Sequence, residues 1–430
     1  MSAGLPLALH AYRIGLTVLE PAASGLLLWR KRRGKEDQER LGERRGIASR
    51  ERPEGRLAWL HGASIGETLA LMPIVERLIR RGFKVLVTSG TRTSAELLGR
   101  RLPPGAVHQF VPLDVPRFMR RFLDHWRPDL ALVAESEIWP NSILELERRG
   151  IPLVLVNGRM SERSFRRWSR APRISGALLE RFALCLAQTP ADAERLSRRG
   201  ATRVGVAGNL KFDASPPPAD ARAVAQLSGL LSGRPVWVAA STHPGEEEMA
   251  VAAHQAVAGR LPGLLTVLVP RHPQRGAEIE EMAGAAGLEV LRRSAAGQPE
   301  RSSEIYVVDT VGELGLFYRL TPLVFMGGSL VPHGGQNPIE AAKLGAAILH
   351  GPHVHNFTDV YAALDRVGGA RPVGDGEGLA RALGELLPAP ARTREMARAA
   401  AEAVESLGGA VSRVMQAIEP FIARMAPEAR

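Results

Sequence analysis

Carboxylates set beside small-residue turns are the groups in this chain best placed to do chemistry. The first set is His61-Gly62-Ala63-Ser64-Ile65-Gly66-Glu67-Thr68. Small residues let another group approach the backbone closely. Glu67 falls where a helix should begin, and its carboxylate could take a proton from an attacking hydroxyl. A glutamate in a first helical turn also complements the helix dipole, worth about 0.3–1 kcal/mol, and spacing alone leaves both readings open. The second set is Glu135-Ser136-Glu137-Ile138-Trp139-Pro140-Asn141. On an extended backbone Glu135 and Glu137 share one side, where like charges raise one pKa or call for a cation; a solvated loop pair is the plain alternative. The third is Asn209-Leu210-Lys211-Phe212-Asp213, which holds one of only five lysines in the chain. A lysine suits a phosphate or carboxylate as a point charge, or it simply faces solvent.

Three further sets lie in the second half. Ser241-Thr242-His243-Pro244-Gly245-Glu246-Glu247 and Arg271-His272-Pro273-Gln274-Arg275 each follow an apolar run. Hydroxyls and backbone N–H groups at a helix start form an anion site. His243 and His272 offer no third ligand at a convincing spacing, so no metal is expected. The most specific set is Met326-Gly327-Gly328-Ser329-Leu330 followed by His333-Gly334-Gly335-Gln336-Asn337-Pro338-Ile339-Glu340. A strand enters a glycine-rich loop, and a helix begins near Asn337-Pro338. The loop could close its backbone on a phosphate at the helix N-terminus, with Glu340 accepting from two ribose hydroxyls; a glycine-rich turn with a helix cap is the alternative. It is neither a Walker A loop nor a GxGxxG fingerprint.

The elements that must hold these sets alternate. Strands are expected at Leu57–His61, Lys84–Thr88, Asp129–Glu135, Pro152–Asn157, Ala183–Gln188 and Arg203–Ala207, with helices at Glu67–Arg81, Thr93–Arg101, Pro140–Arg149 and Pro190–Arg199 between them. After the proline-rich stretch Ala214–Asp220, strands follow at Pro235–Ala240, Leu264–Val269, Leu288–Leu291, Ile305–Val308, Leu323–Met326 and Ala346–His350. Short apolar strands separated by helices imply parallel sheets covered on both faces. The organisation expected is an N-terminal segment 1–35, a Rossmann-like domain 36–213, a stiff linker 214–222, a second Rossmann-like domain 223–410, and a C-terminal helix 411–430 that could pack back on the first domain. Ligands of such sheets bind outside the carboxyl ends of the strands.

The chain has 430 residues, 45% hydrophobic and 23% charged, with a formal net charge of +11. That excludes global disorder and favours an anionic partner: phosphorylated lipid, anionic membrane or nucleic acid. The single Cys185 excludes a disulfide framework, and 5% aromatics argues against a base-stacking surface. Residues 1–29 carry apolar stretches interrupted by His10, Arg13, Glu20 and Pro21, followed by Arg30-Lys31-Arg32-Arg33 and Lys35. No run reaches the ~18–20 apolar residues of a confident spanning helix. An apolar segment with a basic flank fits membrane attachment, spanning or interfacial; an ordinary helix packed on the protein is the alternative.

Taken in order, HGASIGE, ESEIWPN, NLKFD, STHPGEE, PRHPQR and GGSLVPHGGQNPIEAA resemble the transferases of 3-deoxy-D-manno-octulosonic acid (Kdo) in lipopolysaccharide assembly, over about Leu57–Tyr361. The resemblance implies an α/β glycosyltransferase-B fold, two Rossmann-like doubly wound domains facing a cleft, with a membrane-associated N-terminal helix. It implies a CMP-Kdo donor, a phosphorylated lipid A precursor as acceptor, and inverting, metal-independent and cofactor-free transfer by a monomer. The expected place is the cytosolic face of the inner membrane of a Gram-negative bacterium. Glu67 is then the general base, and Glu137, favoured over Glu135, the essential member of the ESE motif. Donor contacts fall to Lys211, Ser241, Thr242, Arg271, His272, Pro273, Gly327, Gly328, Ser329, Gly335, Asn337 and Glu340. Acceptor contacts fall to Ser64, Gly66, Arg159 and Arg163, with Arg166 and Arg167 nearby; a solvated basic helix face is the alternative for the arginines. Gln336 stands where relatives commonly carry histidine. The rivals are a nucleotide-sugar epimerase of the same fold, a basic nucleic-acid-binding protein, which the low aromatic content disfavours, and a membrane-associated scaffold.

Overall fold

A computed structural model describes residues 5–34 and 36–425. The chain divides into two compact units, Met1–Ala214 with Gly408–Arg430, and Ser215–Leu407. The first holds a seven-stranded sheet of β1 (Leu57–His61), β2 (Lys84–Ser89), β3 (Ala106–Phe110), β4 (Leu130–Ala134), β5 (Leu153–Gly158), β6 (Leu184–Ala187) and β7 (Val204–Val206). The order is β3-β2-β1-β4-β5-β6-β7, and every pairing is parallel. All five residues of β1 and of β4 and all six of β5 are buried, as a sheet covered on both faces requires. Side chains alternate between two cores. Ala58 and Leu60 face the core of the helix Ile65–Arg80, while Leu57 and Trp59 face Phe122, Trp126 and Leu178. Leu71, Ile74, Val75 and Leu78 form the buried stripe of that helix, each contributing roughly 1.5–3 kcal/mol.

The second unit repeats the plan with β8 (Val236–Thr242), β9 (Leu265–Pro270), β10 (Val290–Arg292), β11 (Ile305–Val307), β12 (Leu323–Met326), β13 (Ala347–His350) and β14 (Ala370–Pro372). The order is β10-β11-β9-β8-β12-β13-β14, again parallel throughout. The strand order reverses between β1 and β4 in the first sheet and between β8 and β12 in the second, where β11 also lies between β10 and β9 at the edge. Those two switch points open crevices at the carboxyl ends of the strands.

Several expectations change. The first site helix begins at Ile65, two residues before Glu67, because Ser64 caps it and accepts from the Glu67 N–H. β3, with His108 and Gln109 in its run, and the helices Pro116–Trp126, Glu162–Ser169 and Pro172–Leu179 add to the expected set. The stretch from Ser215 belongs to the second unit rather than standing free. Arg319 donates to the Pro217 carbonyl at 2.8 Å, and a Cβ on Gly315 would lie 2.5 Å from the same oxygen. The second unit ends at Leu407, not 410. The helix Ala410–Arg424 joins the first core through Val411, Val414, Ile418 and Ile422, and Asp213 receives the Gly409 N–H at 2.6 Å. At the other end, α1 (Leu7–Val18) and α2 (Glu20–Arg32) bury Leu9 and Leu27. No helix among the described residues is long and apolar enough to cross a membrane. Residues 1–4, Lys35 and 426–430, parts of the expected terminal segments and basic flank, lie outside the described residues.

Candidate functional site

In the first unit the switch point collects His61 from β1, Glu67 from the next turn, and Glu135 and Glu137 from the loop after β4. The Glu67 carboxylate accepts from the Ala63 N–H at 2.9 Å and from the Ser64 hydroxyl at 2.7 Å. With Glu67 N–H donating back to the Ser64 hydroxyl, Ser64 caps the helix and is held in turn by Glu67, whose carboxylate reaches past it to the Ala63 N–H. The helix-terminal reading of Glu67 therefore holds. Proton abstraction remains open to it, because each carboxylate oxygen keeps a further lone pair. Ser64, expected to touch acceptor, is engaged in this cap, and Gly66 is exposed in the first turn.

The two ESE carboxylates do not share a side. Glu135 takes a left-handed φ of +57°, which breaks the extended geometry and sends its side chain to Lys211, 2.9 Å away. Asn157, also left-handed at φ +53°, supports this arrangement. Its Oδ1 accepts from Leu210 N–H at 3.0 Å, and its Nδ2 lies 3.5 Å from Glu135. Strain of this kind concentrates at functional sites. Lys211, expected at the donor, is thus the counter-ion of Glu135 inside the first unit. Glu137 instead faces His61, with 3.5 Å between Oε2 and Nε2, and accepts from the Trp139 indole N–H. Burial pushes the Glu137 pKa up, but the bonds and charge of His61 and the Trp139 N–H outweigh it and hold the carboxyl below its ordinary value. His61 is itself fixed by Thr88 Oγ1 at 2.9 Å, and that oxygen accepts from Trp59.

Arg159 and Arg163 are both exposed. Arg163 lines a cavity of about 550 Å³ with Glu162, Arg166, Arg167 and Arg170. The arginine spacing of i, i+3, i+4 and i+7 puts all four on one stripe of the Glu162–Ser169 helix and its end. Arg159 lies outside this lining; its carbonyl accepts from the Ser136 hydroxyl at 2.7 Å.

The second unit gives the clearest correction. The fully buried Glu246 carboxylate accepts four backbone N–H groups: His243 at 3.0 Å, Gly328 at 2.6 Å, Ser329 at 3.0 Å and Leu330 at 2.9 Å. The glycine-rich loop is an anion cradle, but its anion is Glu246. The amides of Gly328 and Ser329 are not available to a phosphate. Gly327 and Gly335 donate to the Ala240 and Gly328 carbonyls. A Cβ on Gly327 would lie 2.4 Å from the Ser241 carbonyl oxygen, so this glycine serves the close approach of β8 and β12. Ser329 is wholly buried and bonds Met326 and Gly351. The helix after the loop is only Ile339–Lys343, five residues, and the side-chain Oδ1 of Asn337 accepts from the Ile339 N–H at its start. So short a helix has little dipole to offer. Glu340 is half-buried and close enough to Tyr318 to add to burial in raising that phenol's pKa.

What the rim offers instead is side chains. Ser241 ends β8 at φ +56°. The Thr242 hydroxyl is buried without a hydrogen-bond partner, and the Thr242 carbonyl accepts the Arg271 N–H at 2.9 Å. Arg271 and His272 are exposed, and Pro273 is half-buried. His243 stacks on His333 at 4.2 Å, meets His272 edge-on at 5.9 Å, and has its Nε2 3.1 Å from the Gln336 amide nitrogen. Burial first, then the neighbouring His333, His272, Arg271 and Arg275, push the His243 pKa down to about 4. A neutral imidazole ringed by cationic groups is a place for an incoming anion. Among the described residues no group of three or more His, Cys, Asp or Glu could hold a metal ion. His61, Asn157, Glu246 and His333 are the residues that motif reading passed over. His61, Glu246 and His333 all stand inside the quoted motifs, but nothing in sequence pairs Glu246 with a loop 82 residues on.

Two doubly wound parallel units with reactive groups at both switch points define the glycosyltransferase-B architecture. A UDP-GlcNAc 2-epimerase from Neisseria meningitidis shares it, with a TM-score of 0.55 over 85% of this chain and all of that one, at 13% identity. Sequence decides the family. The model for 3-deoxy-D-manno-octulosonic-acid transferase matches residues 39–214. The 3-deoxy-D-manno-octulosonic acid transferase of Haemophilus influenzae is 32% identical over 396 residues, covering 90% of this chain and 92% of that one. The Bordetella pertussis enzyme is 37% identical over 376 residues, 85% and 87% of the two chains. The chain belongs to the Kdo transferase family and is a glycosyltransferase.

Proposed function

We propose that this chain transfers Kdo from CMP-Kdo to a phosphorylated lipid A precursor, with inversion, at the cytosolic face of the inner membrane. The observation that carries the reading is the match to the Haemophilus influenzae transferase over 92% of that protein's length, with Glu67 set at the first sheet's switch point. In a single displacement, Glu67 takes the acceptor hydroxyl proton as the oxygen forms its bond to the anomeric carbon, and CMP departs with the electron pair of the broken bond. The bonds from the Ala63 N–H and the Ser64 hydroxyl support this role by holding the Glu67 carboxylate in place. Glu137, anchored on His61 and Trp139, shapes the same crevice.

CMP binds the second unit at the rim of β8, β9 and β12. Arg271, with His272 and His333, meets the phosphate, and Glu340 meets the ribose. The Arg271 guanidinium, a fixed cation that balances the departing phosphate, supplies the stabilisation that a metal gives elsewhere, so the transfer is written without metal or cofactor. The acceptor's phosphates fit the stripe of Arg163, Arg166, Arg167 and Arg170 around its cavity. The enzyme acts as a monomer. The test is to incubate the purified chain with a CMP-Kdo generating system and tetraacylated lipid A precursor and weigh the product. A mass increase of one or more Kdo units is expected; unchanged acceptor would overturn the reading.

A further inference from the structure

Behind Glu137 runs a line of buried polar groups that the transfer itself does not touch. β1 puts Trp59 and His61, two residues apart, on one face, and His61 pairs with Thr88 of β2. Trp59 and His61 are each 2% exposed and Thr88 is fully buried. The Trp59 indole N–H donates to Thr88 Oγ1 at 2.8 Å, and that oxygen lies 2.9 Å from His61 Nδ1. An indole nitrogen only donates, and a hydroxyl carries a single hydrogen. With Trp59 on one lone pair of Oγ1, the hydroxyl hydrogen has His61 Nδ1 as its acceptor among the described residues. Nδ1 then carries the ring's lone pair. The ring hydrogen sits on Nε2, which faces Glu137 Oε2 at 3.5 Å. The opposite tautomer leaves three groups badly met. Its Nδ1–H would turn to the Thr88 carbonyl at 3.2 Å, which already accepts the Gly62 N–H. The Thr88 hydroxyl hydrogen would lose its acceptor inside the core, and the Nε2 lone pair would face a carboxylate.

Resting on the transfer proposed above, we infer that Trp59, Thr88 and His61 are positioning residues: they fix His61 as the Nε2–H tautomer, hold Glu137 by Oε2, and so present Glu137 Oε1 to a sugar hydroxyl of the acceptor substrate. Both protein donors to this carboxylate, His61 Nε2 and the Trp139 indole N–H, meet Oε2. Oε1 takes no bond among the described residues. An ionised oxygen held from behind in a crevice suits a hydroxyl, because an O–H bond to a carboxylate is short and charge-assisted. Burial works against the charge on Glu137, and its two donors outweigh it. The 3.5 Å reach from His61 is long, as catalytic hydrogen bonds often are until substrate fills the site. Glu67 belongs to the same turn, since its carboxylate accepts the Ala63 N–H two residues beyond His61. One carboxylate then takes the proton of the attacking hydroxyl while the other orients the sugar that carries it.

The test uses the full chain with a CMP-Kdo generating system and detergent-dispersed lipid A precursor. Thr88→Val keeps the shape and removes the hydroxyl. It should lower kcat/KM for the acceptor by about 10-fold or more with CMP affinity unchanged, and Thr88→Ser, which keeps the hydroxyl, should return most of the loss. On a Glu137→Gln background, Thr88→Val should cost less than about 2-fold, because a residue that acts through Glu137 has nothing left to act on. His61→Gln puts an amide N–H where Nε2 stands and should keep more activity than His61→Asn, whose amide reaches only the Nδ1 position. Nitrogen NMR of histidine-labelled protein without substrate, with the His61 signal assigned by its loss in His61→Gln, should show hydrogen on Nε2 in wild type and on Nδ1 in Thr88→Val. Hydrogen on Nδ1 of wild-type His61, equal losses in Thr88→Val and Thr88→Ser, or independent losses at Thr88 and Glu137 would each overturn the inference. Absence of transfer by wild type would instead strike the proposed function, and the spectrum would still decide the tautomer.

Discussion

Replacing Glu246 by Gln tests whether the glycine-rich loop is held by the protein's own carboxylate. The side chain accepts four backbone N–H groups while fully buried. Gln keeps the shape but has one oxygen. Two N–H donors then face an amide NH₂, and each loses a charge-assisted bond worth about 1.5–3 kcal/mol. The other two bonds weaken from ionic to neutral, by about 1 kcal/mol each. Because neighbouring bonds are not additive, the working figure is about 4 kcal/mol on the second unit. A unit the size of Ser215–Leu407 moves its midpoint by about 2–4 °C per kcal/mol, so its calorimetric transition should fall by about 8–16 °C. Glu248→Gln is the control. Glu248 accepts only the Gly245 N–H at the exposed helix start, and its loss should cost about 1 kcal/mol. A transition within ~2 °C of wild type, with CMP affinity strongly reduced, would refute the argument. The loop amides would then be serving the nucleotide.

Three other outcomes are expected. Glu67→Ala should lower kcat by about 100-fold or more with CMP affinity kept, whereas Ser64→Ala, which removes the cap and one of two bonds on the Glu67 carboxylate, should cost about 1 kcal/mol of stability with smaller effect on kcat; kinetics with calorimetric CMP titration separate the two. Lys211→Met strands the half-buried Glu135 and should destabilise the first unit by about 1–3 kcal/mol, and adding Glu135→Gln should return most of it; additive losses in denaturant unfolding would sever the pair. His243 has a folded pKa of about 4, below the ordinary ~6.5. Its contribution to stability is therefore present above pH 6.5 and lost as pH falls toward 4. Bound CMP should move that pKa up, read by imidazole NMR, since a phosphate offsets the cationic ring of neighbours. No movement would take His243 out of the anion site.

Much of the fold was legible because a doubly wound sheet buries its strands on both faces, leaving unbroken apolar runs such as Leu57–Leu60 and Leu323–Met326. β3 escaped because His108 and Gln109 interrupt its apolar pattern; the first is hydrogen-bonded to Ser89 and Arg40 and the second to Trp126. Motif positions were legible too, since Glu67, Glu137, Ser241 and Gly327 all stand at or beside the two switch points. Side-chain direction was not. Glu135, Asn157 and Ser241 adopt left-handed backbones without being glycine, so no residue type announces the turn that parts Glu135 from Glu137.

The glycine-rich loop shows why a sound principle can name the wrong partner. Clustered backbone N–H groups attract an anion whatever its source, and the sequence cannot say whether the anion is a ligand or a carboxylate 82 residues away. Once Glu246 fills the cradle, recognition of the donor phosphate passes to side chains at the same rim, Arg271, His272 and His333 around a neutral His243. Backbone amides would keep their hold on a phosphate whatever stands at position 271, whereas a side-chain site loses its charge when that residue is shortened. Arg271→Ala should therefore weaken CMP binding by about 10-fold or more, read by calorimetric titration. Unchanged affinity would return the phosphate to the backbone.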